Sequence, residues 1–290
     1  MHHHRGCGDL PLAINTIKTA EDFSDMVVDC AQDMKRQNII YREAMFDYTI
    51  CYGIRGIPLK TVINGFADGL KTAKERYGTD IRFIANLDRT ADAESNCSYL
   101  QELQKYRELV PIVAVGFDMK ESGFPASRQK KALLMAREMG FLITGHAGEE
   151  AGPESIRDFL QTCEVDRIDH GVRAAEDEKL MEYLAERKLL CTLCPDSNLC
   201  LGVYKKWEEY PIRTLLKHNV IVSINSDDPP YFNYDLTGNL IKIAEQFSLS
   251  EDEIAACVMN ALAYNIAGKE HLPVIQKWLQ AYKAERSHSI

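Results

Sequence analysis

The chain has 290 residues and a formal net charge of −9, with a sequence pI near 5.5. No block of Lys and Arg is long enough to hold a polyanion, and no apolar run approaches the roughly 20 residues that span a bilayer, so neither nucleic acid nor membrane is an expected partner. With no signal-peptide core at the start and nine cysteines that lack small-scaffold spacing, the chain reads as a reduced, cytoplasmic enzyme without structural disulfides.

Apolar spacing predicts a helix over 20–37 and a strand over 39–48 ending near Asp47. Pro58 opens a helix that runs to Gly78, and a strand follows over 81–87. The alternation continues with a helix over 98–109, a strand over 112–116, a helix over 127–139 and a strand over 141–144. Further on come a helix over 155–163, a strand over 167–169, a helix over 177–187, a strand over 189–193, a helix over 212–218 and a strand over 220–224. Residues 239–247 and 251–266 read as covering helices. Strict βα alternation predicts one TIM-like (β/α)8 barrel over 1–290, since barrels of roughly 250 residues commonly form one domain. Only seven strands are found where a closed barrel uses eight. The first is missing or improvised from Leu10-Pro11-Leu12-Ala13-Ile14, where Pro11 removes a ladder donor.

Ionisable groups gather where strands end. His146-Ala147-Gly148-Glu149, Asp169-His170-Gly171 and Asp227-Asp228-Pro229 each follow an apolar run, and the C-terminal face of a barrel is where active sites lie. Alone, each group could be a helix cap or a loop histidine; together they supply the His and carboxylate ligands, and the acid or base, of metal-assisted hydrolysis. Gly148 would let a substrate approach the backbone. Asp227 and Asp228 repel unless a cation or a hydrogen-bonded substrate shares their site. Cys191-Thr192-Leu193-Cys194 has redox or zinc spacing, but on a strand its thiols point to opposite faces, so packing is the better account. There is no Gly-rich phosphate loop and no Gly-x-Ser-x-Gly elbow.

His146-Ala-Gly-Glu149-Glu150, Arg167-Ile-Asp-His170-Gly171-Val-Arg173, Cys194-Pro-Asp-Ser197-Asn198 and Asn225-Ser-Asp227-Asp228-Pro-Pro-Tyr231-Phe232 closely resemble the adenosine and adenine deaminase family of metal-dependent hydrolases. The resemblance runs from about Leu10 to Leu272 in the family's order. It implies a barrel binding one zinc ion, with His146 and Asp227 as ligands. Glu149 would protonate the purine ring nitrogen beside the attacked carbon, His170 would orient or deprotonate the attacking water, and Asp228 would hydrogen-bond the purine. The segment from Gly116 through Asp118 and Glu121 to Pro125 resembles the adenine-acting branch, making Gly116 and Asp118 substrate-binding residues and putting free adenine ahead of adenosine. Asp196 departs from both branches, which carry an apolar residue there.

Family members also carry a His-x-His pair on the first strand, giving two further zinc ligands. Here only Met1 to Gly8 precedes the matching region. His2 and His4 have the spacing without an apolar strand to hold them, so residues 1–8 are expected to be tag-like or disordered and the chain a truncated or variant deaminase. The alternatives are a catalytically silent purine-binding member, or a deaminase of an N6-substituted adenine or a nucleotide. The expected partner is a small purine, with homo-oligomerisation left open.

Overall fold

The computed structural model describes residues 14–232 and 234–287. Helices alternate with β1 (Tyr41–Phe46), β2 (Asp80–Asp88), β3 (Ile112–Asp118), β4 (Leu142–Ile143), β5 (His146–Ala147), β6 (Arg167–His170), β7 (Leu190–Leu193) and β8 (Ile221–Ile224). Pairing is parallel throughout, in the orders β1-β2-β3-β4 and β5-β6-β7-β8. The expected strand over 141–144 is longer and broken: β4 and β5 are halves of one barrel strand interrupted at Thr144-Gly145. The Phe117 ring lies 2.5 Å from where a side chain at Gly145 would begin, so only glycine fits the break. Thr144 N still donates to Val115 O (3.0 Å), and Asp169 N to Gly145 O (2.9 Å), which joins the two sheets into one curved wall. The architecture is a (β/α) barrel.

The outer layer follows its sequence signals. In the helix Ala20–Arg36, Thr19 and Asp22 form a reciprocal capping box, and Phe23, Val27, Ala31 and Met34 make the buried stripe. That stripe crosses the helix Leu59–Tyr77 closely, because a side chain at Gly69 would sit 2.7 Å from Ser24 O and Val27 Cβ. The expected helix over 98–109 instead spans Ala93–Gln104, since Asp92 caps it by accepting from Ser95 N (2.9 Å). A helix not anticipated from the sequence, Leu272–Ser287, ends the described chain. Among the described residues no helix is long and apolar enough to cross a membrane, and the eight described cysteines are unpaired.

Among the described residues no strand pairs with the outer edge of β1 or of β8. Between those edges runs a cavity of about 480 Å³, lined by Tyr41 to Met45 on one side and Ile224 to Asp228 on the other. Side chains bridge this seam. Arg167, reaching from β6, donates to Glu43 of β1 (2.5 Å), to Asn265 (2.7 Å) and to Asp169 (2.8 Å). Glu43 also accepts from Ala267 N (2.9 Å), and Arg36 pairs with Asp235 (2.9 Å). His2, His4 and Leu10 to Ala13 lie outside the described residues. Ile14, the first described residue, lies in a helical turn, and its carbonyl accepts from Arg55.

Candidate active site

Neighbouring strands deliver the ionisable side chains to one end of the cavity. His170 closes β6, Cys194 follows β7, and Asp227 lies just beyond β8. His170 (φ 59) and Asp227 (φ 56) are both in the left-handed region, which residues other than glycine seldom adopt. The His170 ring, the Cys194 sulfur and an Asp227 carboxylate oxygen lie within 4.8 Å of one another, with His170 Nε2 3.9 Å from Asp227 Oδ2. His146, opening β5, sits beside them with its ring centroid 4.9 Å from that of His170. Its Nδ1 is 3.2 Å from Phe117 O, a bond that keeps a proton on Nδ1 and makes Nε2 the nitrogen that a metal would take in place of a proton.

Glu149 is buried beside this group. Its Oε1 accepts from Asn198 Nδ2 (2.9 Å) and lies 3.4 Å from His170 Nδ1. Burial pushes its carboxyl up, and the neighbouring His170 and His146 only partly offset this, so the protonated acid is favoured over its usual range. Asp228 opens onto the cavity. Its side chain is solvent-accessible through the open cavity, yet the desolvating barrel wall around it, followed by the carboxylates of Asp227 and Asp118, pushes it up to about 7. Asp118 ends β3 with Oδ1 3.8 Å from His146 Nδ1. Asp47, at the end of β1, is pushed up to about 8 by burial and then by Asp118.

Two glycines have other reasons than the sequence suggested. The space beside Gly116 is taken by the Asn86 amide, so this buried glycine makes room for a neighbouring side chain. Gly148 has φ +70 and packs its bare α-carbon on Ile156, so turn geometry and helix packing already require glycine there. Of the two cysteines spaced as a pair, Cys191 packs under Gly171 (2.8 Å from where a side chain would begin), whereas Cys194 faces the ionisable group.

The donor set suits a divalent cation. Burial alone would discharge the His146 ring, yet Asp118, Asp169, Glu149 and Asp227 push it up to about 10. A concentration of carboxylates that strong, with imidazole nitrogens among them, is the field a bound dication neutralises.

The sequence profile of the adenosine deaminase family matches residues 9–276. The chain belongs to that family. An adenine deaminase from Vibrio parahaemolyticus is 34% identical over 273 residues, covering 94% of this chain and 80% of the relative. The crystal structure of adenine deaminase from Arthrobacter aurescens superposes with a TM-score of 0.87 at 28% identity, covering 93% of this chain and 83% of that one. An amidohydrolase from Burkholderia ambifaria with bound Zn superposes at 0.86 with 20% identity, over 98% and 79% of the two chains.

Within this family framework, three residues given no role from sequence position the site. Glu121 is buried, and its carboxylate accepts from Gly148 N (2.6 Å), Glu149 N (3.1 Å) and Ala151 N (2.8 Å), clamping the loop that carries Glu149. Asn198 links Glu149 to His170 (3.2 Å) and accepts from Tyr210 OH (3.3 Å). Arg89, wholly buried, donates to His146 O (2.8 Å) and Phe124 O (3.0 Å). Glu121→Ala is expected to lower kcat by on the order of 10-fold to 100-fold with a smaller change in purine affinity, because misplacing an acid by an ångström is that costly. Steady-state kinetics beside equilibrium binding check it.

Asp196, the departure from both family branches, is explained by Lys242. The carboxylate is buried, with Oδ1 2.9 Å from Lys242 Nζ, and the ammonium also lies over the Trp207 (4.9 Å) and Tyr234 (4.4 Å) rings. Lys242→Met should cost about 1–3 kcal/mol of stability by leaving Asp196 unpaired, a loss moderated by the partial exposure of the lysine. Urea denaturation at neutral pH measures it, and Asp196→Leu in the same background should restore part of the loss.

Proposed function

We propose that the chain hydrolytically deaminates a 6-aminopurine, free adenine ahead of adenosine, to the 6-oxopurine and ammonia. The observation that carries this reading is the buried Glu149, held by Asn198 and His170 beside Asp227 at the strand ends. A carboxyl kept protonated there can deliver its proton to the purine ring nitrogen next to the attacked carbon, removing electron density that the addition pushes onto the ring. His170 orients the attacking water and receives its proton. Asp228 and Asp118 hydrogen-bond the purine, and the elevated Asp228 can donate to a ring nitrogen as well as accept.

His146 and Asp227 are proposed as ligands of a zinc ion, which when bound supplies Lewis acidity and brings the pKa of a water toward neutrality. The Vibrio and Arthrobacter relatives, both adenine deaminases, support the choice of adenine, as does the motif from Gly116 to Pro125. We place the enzyme in the cytoplasm, on the strength of its unpaired cysteines.

The test is ammonia release by the purified chain, supplied with zinc after chelator treatment, from adenine, adenosine, an N6-substituted adenine and AMP in parallel. Release from adenine above the others is expected. A folded protein that binds purine and releases none from any of them would make it a silent family member.

A further inference from the structure

We infer that Asn239 is a positioning residue that straps two halves of the site together: the short helix supporting Glu149 and His170, and the turn carrying Asp227 and Asp228. The inference rests on the proposed deamination and adds a residue to it. Asn239 lies on the helix Leu236–Phe247 and is 1% exposed. Its Oδ1 accepts from Asp196 N (3.2 Å), and its Nδ2 donates to Asn225 O (3.3 Å). Turning the amide over would set donor against donor and acceptor against acceptor, so only one orientation makes both bonds.

Each arm ends where local support is thin. The helix Pro195–Cys200 has six residues and no side-chain cap. A helix that short does not hold itself, and its leading N–H groups need partners from elsewhere. Asn239 supplies the partner for Asp196 N, while Lys242, one turn further along the same helix face, holds the Asp196 carboxylate at 2.9 Å. Two residues past Asp196, Asn198 Nδ2 donates to Glu149 Oε1 (2.9 Å) and to His170 Nδ1 (3.2 Å). The other arm ends on Asn225, two residues before Asp227, whose left-handed φ of 56 persists only where its surroundings over-determine it. One buried amide thus sets the spacing between the acid with its support and the two carboxylates. Without it both drift, and a displacement of about 1 Å costs on the order of 100-fold in rate.

The experiment compares Asn239→Ala with Asn260→Ala, a control of the same type whose wild-type Nδ2 donates to Val222 O (3.0 Å) within β8. Both should lower the thermal midpoint, but only Asn239→Ala should lower kcat, by about 10-fold to 100-fold. In an Asn198→Ala background the same substitution should cost less than in the wild type, because one arm acts through the helix that carries Asn198. Hydrogen exchange should quicken in residues 193–200 and 224–228 and stay unchanged in β2 and β3. Asn239→Asp, nearly isosteric, keeps the acceptor for Asp196 N and loses the donor to Asn225 O, so exchange should quicken at 224–228 alone. That variant carries the test if the Ala variant does not fold. An unchanged kcat in folded Asn239→Ala, full additivity with Asn198→Ala, an equal kcat loss in Asn260→Ala, or exchange that quickens at neither segment would overturn the strap. The exchange readout needs no turnover. Quickened exchange in a protein that releases no ammonia would defeat the proposed deamination and leave the strap standing, and an active enzyme whose rate and exchange ignore Asn239 would do the reverse.

Discussion

Glu149→Gln is expected to leave a folded, purine-binding protein whose ammonia release falls by about 10²–10⁴-fold, the range that a positioned general acid contributes. The amide keeps the shape and can still meet Asn198, which donates to Glu149 Oε1, but it has no proton to give the ring. The pH dependence supplies a sign. Because burial pushes the Glu149 carboxyl up, its protonated fraction, and with it the rate, falls as pH rises through that elevated value. The wild type should therefore lose activity on the alkaline side of this titration, while the residual rate of the Gln variant lacks that limb. Equal rates in the two proteins, or the same alkaline limb in both, would remove Glu149 from the acid role.

The second large effect concerns stability. Arg167→Met is expected to destabilise the fold by about 3–5 kcal/mol, since it strips the cation from two carboxylates inside the barrel. The side chains of Arg167, Glu43 and Asp169 are 5%, 3% and 4% exposed, so water cannot replace the lost partner. Guanidinium or urea denaturation should show a lower midpoint at unchanged slope. Adding Glu43→Gln to the Met variant should recover part of the loss by removing one orphaned charge. The pH dependence again has a definite direction. Although burial opposes it, Arg167 holds the Asp169 carboxyl below its ordinary value, so the pair's contribution is present above the unfolded value of about 3.9 and is lost as pH falls through the lower, folded one.

Much of this arrangement is legible in the sequence, and for a physical reason. A strand buried on both sides writes itself as a short run of branched apolar residues, and the ionisable residue that ends the run marks the barrel's functional face; His146, His170 and Asp227 stand out in that way. Glu121 is harder to read, because its role is to accept from three backbone amides of another loop, which leaves no trace in spacing. Cys194 is hidden by a local rule that is sound for pairs: two thiols three apart on a strand do face opposite ways, but that says nothing about what either one faces alone. For Gly116 and Gly148 the sequence suggests a ligand's reason, and it could not show the neighbouring side chains, Asn86 and Ile156, that by themselves require glycine there. The helix Leu272–Ser287 lacks a strong amphipathic stripe and so offers little to detect.

The seam between β1 and β8 bears on how the protein opens. Among the described residues the wall is held elsewhere by backbone ladders, but the seam is bridged only by bonds that involve side chains: Arg167 to Glu43, Ala267 N to the Glu43 carboxylate, and Arg36 to Asp235. Side-chain staples can release singly, whereas a ladder yields as a unit, so fluctuations that part the ring should begin there and leave β2 and β3 intact. Deuterium should thus enter the amides of β8 and of residues 265–267 through local opening, well before it reaches β2 and β3, whose exchange awaits global unfolding. The same local opening is a lateral path for solvent and chelators to Asp227, so a metal held there, as proposed, should exchange faster than the protein unfolds.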